Sequence, residues 1–125
     1  MALLPMVVNM VVNISDLDRL KESAMQSFEQ RLAKADLRNR VEVEREVARL
    51  ESQLEQLYSF TALIARHETD VTRTADLWLT LVQICDVFAA RVYQLSQDHP
   101  VAASGYDRML DIRSAAEELR ALHSP

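Results

Sequence analysis

From Leu17 onward, apolar residues recur at spacings of three and four: Leu17, Leu20, Ala24, Phe28, Leu32 and Ala35. That is one apolar stripe on a helix. Ser15 stands in front of it with Asp16 and Asp18 just behind, a helix start in which the hydroxyl caps free N–H groups and the acids favour the positive end of the dipole. A second, cleaner stripe follows. Val43, Leu50, Leu57 and Ile64 are seven apart, and Val47, Leu54 and Thr61 interleave with them, so that three heptads of coiled-coil type run with mostly polar flanks. The two stripes do not share a phase. The register slips between Ala35 and Val43, which means either a stutter in one long helix over 15–67 or a hairpin. A break near Asp36 to Asn39 is the favoured reading, because a helical pattern much longer than about 25 residues is unusual in a compact chain.

Thr69, Asp70 and Thr72 suit an N-cap better than a helix interior. The stretch behind them is the most apolar in the chain: Leu77, Trp78, Leu79, Leu81, Val82, Ile84, Cys85, Val87, Phe88, Val92 and Leu95. Apolar residues on every side predict a helix buried on most of its surface, over 70–98. Pro100 forbids its continuation. "SGYD" restarts the chain with Ser104 as the expected cap, and Tyr106, Met109, Leu110, Ala116, Leu119 and Leu122 mark a last helix over 104–123. The connections are short, so neighbours should run antiparallel. The expected fold is all-α: an antiparallel bundle of about four helices with coiled-coil-like packing, behind an apolar N-terminal segment, 1–14, and forming one domain over 1–125.

Composition sharpens that picture. The chain of 125 residues holds 1 Gly, where average usage would supply roughly eight or nine, and hairpins and phosphate-cradling loops consume glycine. A sandwich, barrel or nucleotide-binding α/β domain is thereby disfavoured. The net charge of −5 argues against nucleic acid as a partner, since phosphate contacts need clustered Lys and Arg. The one dense basic stretch, Arg38 to Arg49, carries Glu42, Glu44 and Glu46 at pairing distance for Arg38, Arg40 and Arg49, which reads as a solvated, self-neutralised face. Cys85 is the only cysteine and can form no internal disulfide, which implies a reducing compartment or indifference to redox, and a cytoplasmic location is expected.

Chemistry is sparse. No histidine follows a Glu by three residues, and His67-Glu68 opens no HExxH motif, so no metal or cofactor is expected. His67 and His99 read as helix-end residues and His123 as part of a frayed tail. Cys85, amid Val82, Ile84 and Phe88, reads as an inert buried thiol. No enzymatic activity is expected.

The stretch "MVVNMVVN", Met6 to Asn13, precedes the first charged residue. It is too short for a bilayer span and lacks the basic flank of a leader. Read as a helix with Pro5 in its first turn, it gathers Asn9, Asn13 and Asp16 on a polar stripe and Met6, Val7, Met10, Val11 and Ile14 on an apolar face. That face either covers the chain's own core or docks on another chain. The functional expectation is a non-enzymatic protein–protein interaction module, an adaptor, scaffold or assembly subunit, that forms a homo-oligomer or binds a protein partner. Its expected contact residues are Met6, Val7, Met10, Val11, Val43, Val47, Leu50, Leu54 and Leu57. The alternative is a ligand-binding or regulatory bundle with an apolar pocket around Trp78, Cys85 and Phe88.

Overall fold

A computed structural model describes residues 14–123. The expectations for Met6, Val7, Met10 and Val11 lie outside the described residues. Four α-helices follow in order: α1 (Ile14–Lys34), α2 (Arg40–His67), α3 (Val71–Asp98) and α4 (Ala103–Leu122), with a 3₁₀ turn, Pro100–Ala102, between the last two. Among the described residues there is no strand.

The breaks have local causes. The chain leaves the helix between Lys34 and Arg40, where the apolar stripe changes phase. Asp36 holds the corner, its side chain accepting from the Arg38 amide, and Asn39 caps α2 by accepting from the Val41 amide at 3.0 Å. Asp70 caps α3, accepting from the amides of Thr72 and Arg73 at 2.9 and 3.3 Å. Pro100 ends α3 and opens the 3₁₀ turn. Ser104 does not cap the last helix. The turn hands over to α4 without a side-chain cap, and Ser104 sits one residue inside it.

The core is contiguous. Leu17, Phe28 and Leu32 from α1 meet Val43, Leu50 and Leu54 from α2, Leu81, Phe88 and Val92 from α3, and Met109 and Ala116 from α4. α2 and α3 each touch all the other helices, and α1 and α4 each pack on that pair. The most extensive pair is α3 with α4. Gly105 explains how α4 starts so close: a Cβ there would lie 2.3 Å from Val47 Cγ1 and 3.9 Å from Val92 Cγ1. Tyr58 and Trp78 pack with tilted rings, 5.4 Å between centroids, across α2 and α3, as do Tyr93 and Tyr106 across α3 and α4 at 5.3 Å.

α3 is not covered all round. Leu79 and Val87 are exposed, because α1, α2 and α4 leave one of its sides open.

Candidate functional site

The five heptad residues expected to make contact, Val43, Val47, Leu50, Leu54 and Leu57, are all buried. Their apolar surface is spent inside the chain, against α1, α3 and α4. Trp78, Cys85 and Phe88 are buried as well. Burial pushes the Cys85 thiol up to about 12, with the neighbouring Asp86 carboxylate adding to the effect. A thiol held neutral at physiological pH is a poor nucleophile. No group of three or more His, Cys, Asp or Glu among the described residues is placed to hold a metal ion.

Four ion pairs among the described residues tie helices together. Glu46 is drawn nearly out of solvent, where Arg31 of α1 donates to it at 2.6 Å and Arg49 at 3.4 Å. The pairing expected between Glu46 and Arg49 is thus present, but its stronger partner comes from another helix. Arg38 turns back to Asp36 instead of forward to Glu42, whose carboxylate accepts from the Asp36 amide. Arg91 grips Glu29 with two bonds, at 2.6 and 2.9 Å. Arg108 reaches the buried Glu51 at 3.3 Å, and Arg113 donates to Asp86 at 2.5 Å. These are bridges between elements, not a converging set of acids and bases.

What the core leaves open is more distinctive. Between α1 and α2 runs a cleft of about 370 Å³, lined by Leu20, Ser23, Ala24, Gln53, Gln56, Leu57 and Phe60. None of these side chains is charged. Ala24 and Leu57 form a buried floor, Leu20 is 43% exposed, and Phe60 is half-buried. Along α2 the surface continues past Ser59 to Leu63, which is 48% exposed. A single exposed leucine is ordinary, but Leu20, Phe60 and Leu63 follow one another along this surface, whose Leu63 end is flanked by Glu55, and apolar grooves of this kind receive amphipathic helices. A larger cleft, about 450 Å³ between the α1–α2 corner and the 3₁₀ turn, is of mixed charge, with Arg38, Arg40, Asp98 and His99 on its walls.

Leu20, Phe60 and Leu63 were not among the expected contact residues. A signal for them exists in the sequence. Leu20 widens the α1 stripe beyond what one buried seam needs, and Phe60 and Leu63 stand off the heptad positions taken by Leu57, Thr61 and Ile64.

No protein-family model, no curated protein and no solved structure matches the chain.

Proposed function

We propose that the chain is a non-enzymatic interaction module, an adaptor or assembly subunit, whose α1–α2 groove receives an apolar helix from another chain, either a second copy or a protein partner. The observation that carries the reading is the uncharged groove of Leu20, Ala24, Leu57 and Phe60, beyond which Leu63 extends the apolar surface beside Glu55. An amphipathic helix laid there would bury Leu20 and Phe60 along its apolar face and leave Glu55 at the rim for a polar or basic side chain of the partner. The lone, buried Cys85 suits a reducing compartment, and we place the module in the cytoplasm. No helix among the described residues is long and apolar enough to cross a membrane.

Within the bundle we propose that sequential helices run antiparallel. Arg31 pairs with Glu46 towards one end of α1 and α2, while Leu20 faces Leu57 and Phe60 towards the other. For α3 and α4, Tyr93 lies on Tyr106 and Asp86 on Arg113.

Leu20→Asp and Phe60→Asp test the docking reading, because both positions have room for a carboxylate in water. Sedimentation velocity of the full chain should show a species heavier than 14.3 kDa that the variants return to the mass of one chain, with helical circular dichroism unchanged. For a different partner, a photo-reactive residue at position 63 should yield one adduct in cells that Phe60→Asp removes. A chain that stays single and forms no such adduct would refute the proposal.

A further inference from the structure

The α1–α2 groove opens onto the outer side of α2. There Ser52, Glu55, Gln56, Ser59, Phe60 and Leu63 line an open cleft of about 470 Å³, which shares Gln56 and Phe60 with the groove. Arg66 follows Leu63 by three residues and stands beside it on the helix surface. Glu55 and Arg66 are eleven residues apart, about three turns, so they lie on one strip of α2 with the apolar residues alongside. Both are exposed, and among the described residues neither side chain takes part in a hydrogen bond or an ion pair. Glu29, Glu46, Glu51 and Asp86, by contrast, each hold an arginine of another helix.

The order of groups along this strip is self-complementary. Two copies related by a two-fold axis bring residue i against residue j and j against i. Let two α2 helices lie antiparallel, with Leu63 of one copy level with Leu57, the floor of the other's groove. Arg66 then comes level with position 54, one residue and about 1.5 Å along the axis from Glu55. Arginine's long side chain spans that offset. The same register sets Phe60 opposite its own copy on the two-fold axis, and Ser59 beside it is small enough for the helices to approach closely. A parallel alignment would instead set Glu55 against Glu55 and Arg66 against Arg66, and opposed like charges disfavour a contact.

We propose that the α1–α2 groove is filled by a second copy of this chain, α2 lying antiparallel on α2. Leu63 of each copy sits against Leu20, Leu57 and Phe60 of the other, and Glu55 of each pairs with Arg66 of the other. The inference rests on the docking reading of the groove and names its occupant.

The test is charge reversal in the full chain, with sedimentation equilibrium over a dilution series as the readout. The parent should be a dimer. Glu55→Arg and Arg66→Glu alone should each raise its Kd about tenfold or more, because the two-fold axis counts the loss of an exposed pair twice and adds repulsion. An equimolar mixture of the two variants should regain the parent's affinity, since one copy then carries two positive and the other two negative groups at the paired positions. That recovery, with helical circular dichroism matching the parent, also shows that neither variant has lost its fold. Arg45→Glu is the register control: Arg45 is exposed on α2 and has no ion pair among the described residues, and its reversal should leave the dimer in place. A parent that stays at the mass of one chain would overturn the inference, while an adduct from position 63 with a different protein would keep the groove reading. A dimer dissociated by Leu20→Asp but indifferent to both charge reversals, or one dissociated equally by Arg45→Glu, would overturn the proposed pairing and leave the groove reading standing. A dimer indifferent to Leu20→Asp, Phe60→Asp and both charge reversals would defeat the two together.

Discussion

Gly105→Ala sets two effects of known size against each other. Alanine is the better helix former, and inside α4 the exchange should stabilise by up to about 1 kcal/mol. Against that stands the space: the new Cβ would sit 2.3 Å from Val47 Cγ1 and 3.7 Å from Val47 Cβ. Carbon atoms rest about 3.5–4.0 Å apart, so something must move by more than 1 Å. Val47 yields poorly, because a β-branched side chain on a helix has essentially one rotamer and this one is buried. The alternative is for the start of α4 to back away from α2, opening contacts around Val92 and Met109. Forcing one extra carbon into such a core costs about 1–3 kcal/mol. Strain wins, for a net loss of about 1–2 kcal/mol and a Tm lower by about 4–8 °C. Denaturant unfolding of the single variant and of the cycle with Val47→Ala measures this. Removing the Val47 methyls should make Gly105→Ala harmless or stabilising, so the double variant should be more stable than the two losses added together. A single variant as stable as the parent, or a strictly additive cycle, would refute the close approach of α4 to α2.

Leu50→Asp and Leu54→Asp should each abolish the folded state at 25 °C by circular dichroism, because losing a fully buried leucine costs about 2–5 kcal/mol before an unpaired carboxylate is added; retained helix with an unchanged Tm would show that the seam is open. Asp70→Ala should cost about 1 kcal/mol by chemical denaturation, since it frees the amides of Thr72 and Arg73, and Asp70→Ser should recover most of it. Cys85→Ala should lose about 1 kcal/mol as a small core truncation. Its pH dependence carries the sharper test. The folded thiol is pushed up to about 12 from 9.0, so above pH 9 the unfolded chain releases a proton that the folded chain keeps. The parent should then lose stability relative to Cys85→Ala between pH 9 and 12, at about 1.4 kcal/mol per pH unit, and parallel curves would show that the thiol is open to solvent.

The positions of the helices are legible in the sequence because their causes are local. Asp70 satisfies amides two and three residues away, Pro100 blocks the helix that reaches it, and Asn39 caps the residue two further on, so each stop or start is written within a few residues of itself. The seam of Val43, Val47, Leu50, Leu54 and Leu57 is legible for the same reason, since a period of 3.5 puts those side chains on one line whatever they meet. Which surface that line meets is not local. Only the packing of α2 against all three other helices decided that it would be used up inside the chain. The same packing drew Glu46 out of solvent to a partner fifteen residues back, and let Leu79 and Val87 of the most apolar helix face water. Arg91 on Glu29, 62 positions apart, leaves no periodic trace, because ion pairs between helices depend on register, and register is set by the whole set of contacts. The single glycine shows the division most plainly. Its scarcity speaks for helices, but why the one Gly stands at position 105 follows only from the Val47 methyl that would lie 2.3 Å from its Cβ. The groove of Leu20, Phe60 and Leu63 divides the same way: Phe60 and Leu63 are neighbours on α2 by local spacing, and only the docking of α1 on α2 brings Leu20 to their surface.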